Sequence, residues 1–277
     1  MLHFLRRAPA AAHEAPVHLL MSTSEGAHGT SGVQRVQVVP RDAAIAVTSP
    51  ADLERELKFL IPDSRTAFVR AWVWAICRPE AKHPPARVVT VYYDTPDLTM
   101  LDEKVNSDYL KHKVRVRWYA ALDGKPLNGP AYVEAKFRVG SRRHKVRIPT
   151  RVAAADLDRW PLTRPEWAGL LGPLREQIDI EADLMPVVRL QYVRERFIDP
   201  LTGGRVALDS DISLDAVNPL RLSPGRRGRL AVVVMEYKSQ AMDMAPHLLR
   251  MLQTSGAKKA SVSKYLAAYL HSTQAAL

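Results

Sequence analysis

The chain has 277 residues, of which 47% are hydrophobic, so it is long enough to bury a sizeable core. Lys and Arg number 40 against 29 Asp and Glu, and the formal net charge of +11 favours an anionic partner: nucleic acid, an anionic membrane surface or a phosphate-rich small molecule. The single cysteine, Cys77, excludes an intramolecular disulfide and any metal site built from several thiolates.

The first part of the chain differs in composition from the rest. Residues 1–48 are rich in Ala, Pro, Gly, Ser and His and show little periodicity, which predicts a disordered leader before a single domain over residues 49–277. No stretch approaches the roughly 18 apolar residues of a membrane helix, and the first residues are a poor signal peptide. We therefore expect a cytoplasmic protein without a membrane span.

Order is predicted to begin with a strand over residues 53–61. Successive side chains of a strand point to opposite faces, so Glu54, Glu56 and Lys58 share one face and apolar residues share the other. The Pro-Asp-Ser sequence that follows predicts the start of a helix over residues 65–77, whose role is packing. The strand therefore presents two carboxylates and an ammonium group together.

A later strand, predicted over residues 111–120, carries the strongest pattern. One of its faces carries a row of four cations: Lys111, Lys113, Arg115 and Arg117. Burying such a row without partners would cost more desolvation energy than a core can offset. The pattern therefore predicts a wet, concave interior that binds a polyanion.

Similar alternation recurs along the chain. Further strands are predicted over residues 87–93, 131–138, 143–148, 187–198, 205–209 and 230–238, and helices over 153–174, 245–253 and 262–270. About eight strands with charged residues at period two predict an α+β fold: an eight-stranded antiparallel β-barrel with a polar interior and helices packed outside and at its ends. The alternative for any one strand is the solvated face of an ordinary sheet.

The residues in phase on these strands supply candidate phosphate ligands. The planar guanidinium group of Arg can bind two phosphate oxygens at once, and Lys adds a positive charge on a flexible side chain. The N-terminus of a helix also binds anions. The candidates are Lys58, Lys113, Arg115, Arg117, Lys136, Lys145, Arg147, Arg194, Arg196, Arg205 and Lys238, with Ser263 and Lys264 at the start of the last helix. Nucleic acid is disfavoured, because few aromatic residues share these faces to stack bases.

Carboxylates lie among the cations and need an explanation. Glu54, Glu56 and Glu236 are either salt-bridge partners or ligands for Mg²⁺ or Mn²⁺, which favour oxygen donors. Glu236 is the preferred metal ligand. Glu134 is interpreted as a structural partner of Lys136.

Several short motifs, in this order and spacing, resemble the VTC domain, the polyphosphate polymerase branch of the triphosphate tunnel metalloenzymes, a superfamily that also contains the CYTH triphosphatases. The motifs are Glu56-Leu57-Lys58-Phe59, Val91-Tyr92-Tyr93-Asp94-Thr95, the segment 113–119, Val133-Glu134-Ala135-Lys136, Tyr192-Val193-Arg194, the segment 205–209, Met235-Glu236-Tyr237-Lys238 and Ser263-Lys264-Tyr265. The resemblance runs from about residue 53 to residue 270.

The resemblance implies a tunnel of eight strands in which ATP donates its γ-phosphate to a polyphosphate chain. It assigns the phosphate-holding roles of the active site to Lys58, Arg115, Arg117, Lys136, Arg194 and Arg205. Glu236 would hold the metal, and Lys264 would lie at a tunnel mouth. A metal-dependent triphosphatase on the same tunnel and a non-catalytic polyphosphate-binding module remain open, because Glu54-x-Glu56-x-Lys58 is the hallmark of the hydrolytic relatives. The basic residue expected at position 261 is Ser261 here.

Overall fold

The computed structural model describes residues 38–40, 55–106, 110–125, 127–139, 142–180, 182–223, 225–240, 243–261 and 263–273, all within one compact unit, residues 35–277. The strands are β1 (Val38–Pro40), β2 (Arg55–Pro62), β3 (Arg78–Pro79), β4 (Ala86–Asp94), β5 (Leu110–Ala120), β6 (Pro130–Val139), β7 (Arg142–Ala153), β8 (Ile178–Ile180), β9 (Met185–Ile198), β10 (Arg205–Val217), β11 (Gly228–Arg229), β12 (Val232–Ser239) and β13 (Lys258–Lys259). The helices are α1 (Thr66–Ile76), α2 (Thr99–Val105), α3 (Ala154–Arg159), α4 (Glu166–Gly169), α5 (Gly172–Gln177), α6 (Pro246–Thr254) and α7 (Lys264–Thr273).

One large antiparallel sheet organises the domain. Its strand order is β13-β2-β12-β10-β9-β4-β5-β6-β7, with β11 beside β10 and β3 beside β9, while β1 and β8 form a separate pair. The predicted α+β class is confirmed. The eight-stranded barrel is not confirmed, because the sheet has 11 strands and its end strands β13 and β7 are not paired with each other in the described residues. Side-chain alternation reports which face a residue occupies and carries no information on whether the edges meet.

Two groups of apolar strand side chains lie on the outer face of the sheet and pack under helices. Phe59, Ile61 and Met235 form one core with residues of α1 and α6. Val116 and Trp118 form a second core with residues of α4 and α5. The predicted helix over 65–77 is confirmed as α1, which packs as expected. With these residues outside, the charged residues of the same strands are left to face inwards.

The last helix, α7, covers an apolar end of the inner face. Its Tyr265 stacks on Tyr92 at a centroid distance of 5.3 Å, and both belong to a core that also contains Leu190 and Val234. The Tyr265 hydroxyl donates to a carboxylate oxygen of Asp94 at 2.8 Å. Asp94 also accepts bonds from backbone amides in the first turn of α2, so one buried carboxylate ties α2 and α7 to β4.

Some elements differ from the predictions. Helix α2 was missed, since its seven residues lack a clear apolar period. Strand β10 is longer than predicted and is bent by irregular pairing with β9. Residues 38–40 of the predicted leader form β1, and the remainder of residues 1–48 lies outside the described residues.

Two further features concern the expectations for a membrane span and for the single cysteine. None of the helices in the described residues combines the length and the apolar character needed to span a membrane. Cys77 is buried, and burial, followed by the nearby Asp199, raises the pKa of its thiol to about 11. The thiol is therefore protonated at neutral pH.

Candidate phosphate-binding site

The register of the sheet shows which side chains share the inner face, because directly paired residues of antiparallel strands point to the same side. Lys58 pairs with Glu236, which pairs with Ala207, which pairs with Arg196. Farther along the sheet, Tyr92, Arg115, Glu134 and Arg147 form one row, and Lys113, Lys136 and Lys145 form another. All eleven strand cations that were predicted as phosphate ligands share this face: Lys58, Lys113, Arg115, Arg117, Lys136, Lys145, Arg147, Arg194, Arg196, Arg205 and Lys238.

The inner face is curled, because strands far apart in the sheet order bring their charges together. The start of α7 and the residue before it reach both sides: Ser263 accepts a bond from Lys113 on β5 at 3.0 Å, and Lys264 lies 2.6 Å from Asp209 on β10. The ammonium group of Lys136 on β6 is repelled by Lys238 on β12. The inner face is therefore a concave, cationic surface.

Asp209 is the most buried anion of this surface. It is 0% exposed and accepts two bonds of 2.6 Å from Arg194, while Lys264 contacts its second oxygen. Burial would raise the pKa of Asp209, but Arg194 and Lys264 hold it below its ordinary value. Asp209 lies in the strand predicted over residues 205–209, but its role as the anchor of two cations was missed.

Lys264 does not lie at an open mouth, as the resemblance implied. Its side chain is 10% exposed and stands over the ring of Tyr192 at 4.8 Å, beside Asp209. The start of α7 places Lys264 in the interior, where the carboxylate of Asp209 offsets the cost of burying it.

The side chain of Lys104, from α2, donates to Ser261 at 2.8 Å. A cation therefore lies at the position where the family pattern has a basic residue and this chain has serine.

Glu134 is held in place by cations on three sides. Arg115 lies 2.5 Å from one of its oxygens, and Lys145 and Arg147 lie 3.3 and 3.4 Å from the other. Burial would raise the pKa of Glu134, but Arg115 and its neighbours lower it to about 2. The structural role predicted for Glu134 is supported, although the partners differ: Lys136, the predicted one, is a neighbour along β6 whose side chain is exposed.

Arg117 differs from its expected position on a wet face. It is 6% exposed, and its guanidinium donates to Thr90 at 3.1 Å and to the hydroxyl of Tyr192 at 3.0 Å. The row formed by Thr90, Arg117 and Tyr132 is covered by neighbouring side chains, which the alternation of β5 does not reveal. Arg117 therefore contributes to packing as well as to charge.

Replacement of Arg117 by alanine is expected to lower the free energy of unfolding by about 1–3 kcal/mol, because two buried hydroxyl groups lose their partner. Phosphate-dependent activity should be lost at the same time. Chemical denaturation and a turnover assay test both effects. Arg117→Lys is the matched control, since it keeps the positive charge and removes the planar guanidinium group with its several hydrogen-bond donors. An alanine variant as stable as the wild type would contradict the structural contribution.

Two of the predicted metal ligands, Glu236 and Glu56, lie in the part of the chain that the structure describes. Glu236 lies 3.6 Å from both Lys58 and Arg194, distances longer than a hydrogen bond. Burial would raise the pKa of Glu236, but Arg194, Lys264, Lys58 and Lys238 hold it well below its usual range, so it is ionised.

Glu56 contacts Lys58 at 2.7 Å. It lies close enough to Glu236 for the two carboxylates to repel each other. These oxygen donors fit a hard divalent ion. Glu54, the third predicted metal ligand, lies outside the described residues.

The other predicted ligands occupy the more open part of the inner face. Lys145, Arg147 and Arg205 are exposed, whereas Arg196 and Lys238 are half-buried. Arg147 stacks on the ring of Tyr132 at 3.7 Å. The position of the Lys111 side chain lies outside the described residues. Sequence reasoning missed Thr90 as a ligand-supporting residue, and its only signal was its position in phase on β4.

Comparison with protein families agrees with the motifs. The VTC domain model matches residues 53–272. The PH1819 protein of Pyrococcus horikoshii is 13% identical, with 78% of this chain and 98% of that chain covered and a TM-score of 0.39. A Hippeastrum protein named as an adenylyl cyclase, with a dominant triphosphatase activity, is 12% identical, with 81% and 97% covered and a TM-score of 0.43.

These structural scores are low, and no curated protein matches the chain. The family therefore rests on the VTC model, which matches most of the sequence and includes every strand of the inner face. The chain belongs to the VTC domain family.

Proposed function

We propose that the chain is a metal-dependent polyphosphate polymerase that transfers the γ-phosphate of ATP to a polyphosphate chain on its inner face. The observation that carries the proposal is the spread of cations. They run across the inner face from Lys58 to Arg147, while the carboxylates in the same rows are Glu56, Glu134, Asp209 and Glu236. An excess of positive charge distributed over many strands suits a chain of phosphates.

Phosphoryl transfer depends mainly on positioning and on neutralising charge. Glu134 and Asp209 hold Arg115 and Arg194 in place, so the two guanidinium groups are positioned on the inner face in advance. Lys58 and Lys136 would add mobile charge beside them. Glu236 and Glu56 would hold Mg²⁺ or Mn²⁺, which when bound neutralises charge on the transferred group.

The product of the reaction tests the proposal. The protein is incubated with ATP and Mn²⁺, and the products are separated by size. A long polymer together with ADP supports the polymerase. Free phosphate without polymer favours the triphosphatase, for which the Glu56 and Glu236 pair on the inner face is the supporting observation. Tight binding of ATP or polyphosphate without turnover, with either Mg²⁺ or Mn²⁺, would favour the non-catalytic binding module.

The affinity of the inner face for tripolyphosphate is expected to fall as the pH rises from about 7 to about 9. Burial, with repulsion from Lys58, lowers the pKa of Lys113 to about 7. Burial, with repulsion from Arg115 and Lys238, lowers the pKa of Lys136 to about 8, although its side chain reaches solvent. Both lysines are cationic below these values and lose their charge above them, so bound phosphate favours proton uptake.

Titration calorimetry in two buffers of different protonation enthalpy measures both the affinity and the proton uptake. The double substitution Lys113→Met and Lys136→Met should weaken binding at pH 7 and flatten the pH dependence. Wild-type binding that stays constant over this range would contradict the assignment of these lysines to the phosphate site.

A further inference from the structure

A second cluster of metal-binding side chains lies on the outer face of the sheet. The ligand atoms of Cys77, Asp199 and His247 all lie within 4.8 Å of one another. Cys77 follows α1, Asp199 follows β9, and His247 is in the first turn of α6. Cys77 belongs to the outer core with Tyr237 and Leu248, so the cluster is separated by the sheet from the inner face that carries Glu236.

The polar groups of this cluster are incompletely satisfied. Asp199 is 0% exposed, and among the described residues neither lysine nor arginine lies within ion-pair distance of its carboxylate. The Nε2 atom of His247 lies 3.1 Å from Asp199 Oδ1. It is nevertheless buried without a hydrogen bond in the part of the chain that the structure describes, so the ring is not aligned to donate to that oxygen. A buried carboxylate beside an unbonded imidazole nitrogen calls for a cation.

The carboxylate has a local role as well. Asp199 accepts a bond from the amide of Leu201 at 3.2 Å and another from the hydroxyl of Thr202, which shapes the turn between β9 and β10. Each carboxylate oxygen has more than one lone pair, so these bonds leave room for a ligand bond. The turn holds Asp199 in place beside Cys77 and His247.

We propose that Cys77, Asp199 and His247 form a Zn²⁺ site. Sulfur, imidazole nitrogen and carboxylate oxygen are the donors that zinc accepts in tetrahedral sites, and zinc ligands lie about 3.3–3.8 Å apart around the ion. The present separations need only small side-chain adjustments to reach that spacing. Binding replaces the thiol proton of Cys77 with the metal and releases that proton to solvent. Water fills the fourth position.

The site would join three segments that are distant in sequence: the end of α1, the β9–β10 turn and the start of α6. The donor set also separates it from the inner face, where the candidate ligands are oxygens suited to Mg²⁺ or Mn²⁺. Zinc at this position is expected to act on stability. At a metal concentration about 100 times the Kd, the melting temperature should rise by about 5–10 °C.

Cobalt(II) is the probe, because it occupies zinc sites and absorbs light. The full chain, freed of metal and of any histidine tag, is titrated with Co²⁺ and then with Zn²⁺. We expect one equivalent of Co²⁺ to give tetrahedral visible bands and a thiolate charge-transfer band in the near ultraviolet, both removed by Zn²⁺. Cys77→Ser should abolish the charge-transfer band, and His247→Gln should weaken binding by about 100-fold or more, since changes outside the ligand shell already cost about 10–100-fold.

His83→Gln is the matched control, because His83 forms an ordinary surface pair with Glu80 at 3.0 Å. It should leave the spectrum and the affinity unchanged. A wild-type protein that shows no thiolate band with Co²⁺ would overturn the proposal, and this measurement does not depend on how the variants fold. Binding that survives both Cys77→Ser and His247→Gln unchanged would overturn it as well.

Discussion

Replacement of Asp209 by alanine is expected to lower the free energy of unfolding by about 3–5 kcal/mol, because it removes the nearest counter-ion of two buried cations. Asp209 is fully buried and binds Arg194 through both oxygens and Lys264 through one. Arg194 is 13% exposed and Lys264 10%, so water cannot take over the role of the carboxylate. Denaturant unfolding measures the loss.

The matched control is Asp215→Ala. Asp215 also binds an arginine, Arg189, at 2.5 Å, but it is 35% exposed. Ion pairs near the surface contribute about 0–1 kcal/mol, and this pair is half-buried, so the variant should lose clearly less stability than Asp209→Ala. Equal losses in the two variants would contradict the view that Asp209 anchors the start of α7. Asp209→Asn keeps the shape of the side chain and removes its charge. Its free energy of unfolding should therefore lie nearer to that of Asp209→Ala than to that of the wild type.

Replacement of Glu236 by glutamine is expected to reduce metal-dependent turnover by about 100-fold or more. The change keeps the volume of the side chain and removes the charge that would hold the metal. Glu236 faces the interior between Lys58 and Arg194, without a contact to either that is short enough for a hydrogen bond. Because the variant makes the inner face more positive, binding of tripolyphosphate should be retained.

Turnover with Mn²⁺ and calorimetric binding of tripolyphosphate separate these two effects. Glu56→Gln, measured in parallel, shows whether the second carboxylate of the inner face contributes equally. Near-wild-type turnover of Glu236→Gln would move the metal site towards Glu54 and Glu56. That result would favour the triphosphatase over the polymerase.

The alternation of side chains predicted much of what the structure contains. A period of two places Lys113, Arg115 and Arg117 on one face of β5 and Val116 on the other, whatever the strand pairs with. The apolar faces must be covered, so helices outside and charge inside follow from the same pattern. The cationic character of the inner face could therefore be predicted before any contact was known.

Contacts between distant segments could not be predicted in this way. Asp209 and Glu236 are both carboxylates in phase on neighbouring strands, yet one is tied to Arg194 and Lys264 and the other lies at longer distances from its cations. That difference arises from the register of β10 with β9 and β12 and from the entry of α7. Register and helix entry depend on the whole domain.

The cluster of Cys77, Asp199 and His247 on the outer face could not be predicted from the sequence either. More than a hundred residues separate Cys77 from Asp199, and nearly fifty separate Asp199 from His247, so the three show no spacing typical of a metal site. The number of strands and the order in which they pair likewise depend on backbone hydrogen bonds. Alternation assigns each side chain to a face because that is a local property of the chain. It leaves open which side chains meet, because folding sets those distances through packing between remote segments.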